Sequence, residues 1–181
     1  LIINEYTRSE LITKSKDPGF NRYKRRMTVG NKEIIIDKVV IEQPIVNQPN
    51  LNVYFKVRDY ICSIQLVNYM LRVRDLASYS KYGYDIRKVL EIAMDQTLNR
   101  NDILINCTCL DFYYRFSYSA TINNYGFRTN QKIPARIRNP ENKGSGCKHL
   151  MRIINAPYLW KGKVITAVRK AILSNPSLLG G

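Results

Sequence analysis

An α+β fold is predicted for this chain, on three observations. β-branched and alternating apolar residues occupy 33–66, and apolar residues at helical spacing follow Asp85. Three of the four cysteines join the only histidine in two matched pairs, Cys107 with Cys109 and Cys147 with His149. The 181 residues suffice for one domain of ordinary size, or for one domain with a small appended module. Four segments are expected: an extended arm over 1–32, an α+β domain over 33–101, a zinc-binding module over 102–160, and a C-terminal helix and tail over 161–181.

The arm reads as irregular, with Ser15-Lys16-Asp17-Pro18-Gly19 as a turn, and arms of this kind often pack on a neighbour. Between Glu33 and Val46 the run Ile34, Ile35, Ile36, Val39, Val40 and Ile41 predicts a strand. Asn47-Gln48-Pro49-Asn50 is a turn. Alternation of Val53, Phe55 and Val57 with Tyr54, Lys56 and Arg58 predicts a second strand from Asn52 to about Leu66. Residues 67–84 suit either a helical turn or another strand, with 79–84 as a loop.

Asp85 is a good N-cap, and Ile86, Val89, Leu90, Ala93, Met94, Thr97 and Leu98 recur at i, i+3, i+4 spacing, the clearest helix in the chain. Residues 99–102 close it, and Ile103-Leu104-Ile105 leads as a short strand into Cys107. The aromatic stretch 110–118 reads as the small core that a zinc module otherwise lacks, with base stacking by aromatics interleaved with Arg as the alternative. Gly144 and Gly146 free the backbone to swing Cys147 onto the metal, and Ser145 is placed to cap a short helix carrying Cys147, His149, Leu150, Ile153 and Ile154. That helix stops before Pro157. A last helix is expected from Lys163 to Leu173, followed by a frayed tail from Pro176.

Thiolate and imidazole are ligands that zinc favours, and Cys107, Cys109, Cys147 and His149 fill its four-coordinate shell. A filled shell leaves no position for an activated water, so the expected Zn²⁺ is structural. The competing reading makes Cys107 and Cys109 small buried strand residues, Cys147 a helix-start residue and His149 a satisfied histidine. Cys62 lies far from the pairs in an apolar stretch and reads as a core residue. Such thiols suggest a reducing compartment, or one in which metal protects them.

With 29 Lys and Arg against 14 Asp and Glu, the net charge of +15 favours polyanionic partners. Nucleic acid and acidic protein surfaces are the two candidates, with Arg115, Arg136, Arg138, Lys148 and Arg152 as contacts. No apolar run approaches the length of a membrane span, and no signal peptide is visible at Leu1-Ile2-Ile3-Asn4-Glu5. A chain opening on Leu1 is expected to be a processed product or part of a longer one.

The order strand, CxC, insert, Gly-rich turn, CxH, helix resembles SWIM-type zinc-binding domains. More closely, Cys107-Thr108-Cys109-Leu110-Asp111-Phe112-Tyr113-Tyr114-Arg115-Phe116, followed by Arg138-Asn139-Pro140-Glu141-Asn142-Lys143-Gly144-Ser145-Gly146-Cys147-Lys148-His149-Leu150, resembles a block in virion-associated structural proteins of large tailed bacteriophages. The likeness extends back to about Asp85. Its insert is longer than in most cellular SWIM domains, and Leu110 stands where a Pro often follows the second Cys. The resemblance implies a ββα module over 102–160, a metal role for Cys107, Cys109, Cys147 and His149, and interaction with DNA or protein.

Catalysis is not expected. The lone histidine is taken by the metal, His149 lacks the neighbouring Glu and the Cys pair two apart of zinc deaminases, no phosphate-binding Gly-rich loop is present, and carboxylates are few and scattered. The expected function is a non-enzymatic zinc-binding component of a phage virion, at the head or head–tail junction, found in virions and, during assembly, in host cytoplasm. Its partners would be other virion proteins, with nucleic acid as a further one and neither a membrane nor a small-molecule substrate. The alternative is a free DNA- or RNA-binding regulator of SWIM type.

Overall fold

In this computed structural model residues 34–79, 85–100, 102–136 and 146–180 are described; the arm, Arg138 and the Gly144-Ser145 turn lie outside them. Four antiparallel strands form one sheet in the order β1 (Lys38–Ile41), β2 (Leu51–Val57), β3 (Tyr60–Leu66) and β4 (Ile103–Cys107). Between β3 and β4 run α1 (Tyr69–Tyr79) and α2 (Ile86–Asn99), and β4 leads into α3 (Leu110–Arg115) and α4 (Ser117–Ile122). After the insert come α5 (Lys148–Asn155), a 3₁₀ turn (Pro157–Leu159), α6 (Lys161–Ser174) and a final 3₁₀ turn (Pro176–Leu179). The architecture is the α+β type that the sequence predicts.

Register explains the inner face of the sheet. Leu51 pairs with Leu66 and that with Ile103, Val53 with Ile64 and Ile105, and Phe55 with Cys62 and Cys107. All nine side chains are buried, because residues two apart share a face. Tyr54, Asn52, Gln65, Leu104 and Asn106 point to the other, half-buried face. Against the inner face pack Tyr69, Met70 and Val73 of α1, the Leu90, Ala93, Met94 stripe of α2, and Val164, Ile165, Val168 and Ile172 of α6. Asp85 caps α2 as expected, its carboxylate accepting from the Arg87 N–H at 3.0 Å.

Several local expectations change. The single strand over Asn52–Leu66 is a hairpin reversing at Arg58-Asp59, with Arg58 at φ +55° and its N–H donating to Asp37 Oδ2 at 2.7 Å. The strand expected over 33–46 is confined to Lys38–Ile41, where β2 offers a partner. The ambiguous stretch after Val67 is helix α1, set against β4 by Arg72, which pairs with Asp102 and donates to Thr97 Oγ1 and the Val67 carbonyl. The aromatic stretch is helical, and the place of a second strand in a ββα module is taken by a single parallel bridge between Ile105 and Gly126. The tail does not fray at Pro176: Leu178 is buried in the core.

No helix among the described residues is long and apolar enough to cross a membrane. Trp160 joins the C-terminal helices to the sheet, its ring edge-on to Phe55 at 5.4 Å and its Nε1–H donating to the Ile153 carbonyl at 3.0 Å. Trp160→Ala is expected to cost about 3–5 kcal/mol, read as a lower urea midpoint at unchanged m-value.

Candidate metal centre

The CxC pair sits where a strand becomes a helix. Cys107 is the last residue of β4 and faces inward with Ile103 and Ile105. Thr108 locks that end to β3, its N–H donating to the Ile61 carbonyl and its Oγ1 accepting from the Ile61 N–H, both at 3.0 Å. Cys109 is the N-cap of α3, and its Sγ accepts from the Phe112 N–H at 3.3 Å. The CxH pair opens another helix: Cys147 is the N-cap of α5, and His149 lies in its first turn. A Cβ on Gly146 would sit 3.1 Å from Met151 Cε, so a side chain there would press on the helix that presents both ligands.

These elements bring Cys107, Cys109 and Cys147 Sγ and one ring nitrogen of His149 within 4.8 Å of one another. His149 Nδ1 lies 3.8 Å from Cys107 Sγ and 3.9 Å from Cys147 Sγ. Zinc bonds of about 2.3 Å to sulfur and 2.0–2.1 Å to nitrogen give tetrahedral edges of roughly 3.5–3.8 Å, so the donor set fits such an ion. All four residues are buried, at 0–3% exposure. The imidazole lies against the Tyr60 ring, centroids 4.9 Å apart, which fixes its plane. The cluster can hold a metal ion, and its four protein donors complete a tetrahedral shell.

As bare side chains the three thiols cannot all ionise so close together. Hydrogen bonding from Cys107 and then Cys147, aided by the Phe112 N–H, holds Cys109 far below the usual thiol range. Hydrogen bonding to the Cys109 thiolate, with burial, pushes Cys107 up, and burial foremost does the same to Cys147. One thiolate and two thiols is therefore the preferred charge state, and a divalent cation reverses it by making three thiolates favourable.

Cys62 is the core residue that the sequence suggests, but it is not remote from the pairs. Its Sγ lies 3.4 Å from Cys107 Sγ, across the β3–β4 pair. Tyr60 is likewise brought in by the hairpin. The signal for both is the phase of the apolar alternation, which runs on odd numbers to Val57 and on even numbers from Tyr60.

The basic candidates are scattered among different tasks. Arg115 is buried, paired with Asp111 at 3.2 Å and stacked over Phe116, while its neighbours Tyr113 and Tyr114 are exposed. Arg136 is exposed and lines a groove of about 680 Å³ with Tyr113, Tyr114, Tyr118 and Pro134. Lys148 is half-buried beside the metal ligands, and Arg152 donates to the Ile34 carbonyl at 3.1 Å. Arg138 is outside the described residues.

No family model, curated protein or solved structure matches the chain.

Three outcomes are expected. Cys147→Ser should remove about a quarter of the 10–16 kcal/mol typical of a structural zinc site, roughly 3 kcal/mol, read by competition with a chromophoric chelator. Limited proteolysis of the variant should then cut between Leu110 and Asn155 while the hairpin of β2 and β3 stays protected. Because loading displaces protons from Cys107 and Cys147, apparent affinity should rise with pH and fall on acidification, with about two protons released per ion in calorimetry across buffers of different ionisation heat.

Proposed function

We propose that the protein is a non-enzymatic zinc-binding structural component of a bacteriophage virion, seated at the head or head–tail junction, whose basic faces meet DNA or acidic neighbouring subunits. The observation that carries this reading is the buried set of three cysteines and one histidine, which leaves a bound zinc no open position for substrate or water. Its ion would fasten the start of α3 and the start of α5 to the end of β4, a task in folding rather than in chemistry. The SWIM-like order of ligands and the phage-like words around them support the placement in a virion, and the charge of +15 supports polyanionic neighbours.

A second reading, a free DNA- or RNA-binding regulator of SWIM type, draws on the groove where exposed Tyr113 and Tyr114 stand beside Arg136. Purified particles separate the two. A virion component should be found by mass spectrometry at fixed copy number, with one zinc per chain, and the isolated chain should bind duplex weakly. A regulator should be absent from particles and bind nucleic acid alone, with log affinity falling steeply against log salt.

A further inference from the structure

We propose that Cys62 and Cys107 form an oxidative modification site that competes with the metal: reduced while the ion is bound, and closed into a disulfide by an oxidant of the peroxide class once the ion has left. The proposal rests on the metal-centre reading given above.

The sheet places the two sulfurs. Thr108 N–H bonds to the Ile61 carbonyl and Val67 N–H to the Asp102 carbonyl, so residues 61 and 108, and 67 and 102, are the hydrogen-bonded pairs at the two ends of the β3–β4 ladder. Cys62 and Cys107, one step further in, are therefore a non-hydrogen-bonded pair. Such pairs have Cα atoms about 4.5 Å apart and the closer side chains, within the span a disulfide bridges. The two sulfurs already lie 3.4 Å apart on the buried face.

Cys62 is surplus to the shell, which the other four donors complete. It also differs from Cys109 and Cys147 in what holds it. Those two start short helices that the ion fastens, whereas Cys62 and Cys107 are held opposite each other by strand pairing that does not need the ion. After metal loss this is the thiol pair that keeps its geometry.

The chemistry balances on two electrons. The Cys107 sulfur, giving up its proton as it reacts, attacks the peroxide O–O bond, which breaks to give a sulfenic acid and a hydroxide that takes up that proton as water. The Cys62 sulfur then attacks the sulfenic sulfur, the S–S bond forms, the S–O bond breaks, and a second water leaves with the Cys62 proton. Two sulfurs are oxidised and one peroxide is reduced. Cys107 in a disulfide is no longer a thiolate ligand, so the shell loses one donor of four.

The test treats the full reduced chain with hydrogen peroxide, zinc-loaded or stripped by chelator, then blocks free thiols, maps disulfides by peptide mass spectrometry and measures zinc uptake. The loaded chain should stay reduced. The stripped chain should give the Cys62–Cys107 peptide as its main product and lose zinc uptake until a reductant restores it. C62A, or the near-isosteric C62S should alanine unfold the chain, should keep most of its uptake after the same treatment. A main product joining any two of Cys107, Cys109 and Cys147, or equal loss of uptake in the Cys62 variants, would overturn the proposal. Failure of the reduced wild-type chain to take up zinc would instead overturn the metal centre, and the competition with it.

Discussion

Three sulfurs and an imidazole nitrogen gathered within 4.8 Å, out of contact with water, cannot carry the charges that their chemistry invites unless a cation sits among them. That electrostatic constraint falls on the segment from the end of β4 to the first turn of α5. The four donors come from a strand end and two helix starts, places where backbone direction changes. Short helices of six and eight residues have little stability of their own. A multivalent ion at their shared origin would supply what their length does not.

The surrounding protein treats the ligands as part of its interior. Phe55, Cys62 and Cys107 form one row of the inner sheet face, continuous with the rows of Val53 and Leu51, and Trp160 packs edge-on to Phe55. Much the same holds for the cations. Arg72 is spent on Asp102, Thr97 and a carbonyl of the β3–α1 turn, Arg115 on Asp111 and the Phe116 ring, and Arg152 on Ile34. A sum over Lys and Arg thus overstates the charge offered to a partner, because some guanidinium groups serve as internal ties.

What the sequence made legible were signals confined to one window. Asp85 and the helical stripe after it announce α2, and two equal spacings announce the ligand pairs, since both depend on neighbours in the chain. What stayed hidden depended on pairing between windows. The reversal at Arg58-Asp59 carries no Gly or Pro, and an arginine in the left-handed region is an uncommon marker. Missing that turn also hid Cys62 and Tyr60, whose approach to the cluster exists only in the register that the turn creates. The helical form of 110–122 was masked by aromatic residues whose local preference is for strands, overridden here by the Cys109 cap of α3 and by burial. The arm and the Gly144-Ser145 turn fall outside the described residues.

Thr108, tied at both its N–H and its hydroxyl to Ile61, has a consequence for how the sheet is proofread. Sliding β4 by one position along β3 would turn Cys107 to the opposite side of the sheet, because side chains alternate strictly. The ion would then find three donors and a gap. With an ion bound, mispaired chains would be denied the bond energy that correctly aligned ones collect, and coordination would select among alignments as well as fasten the one that wins.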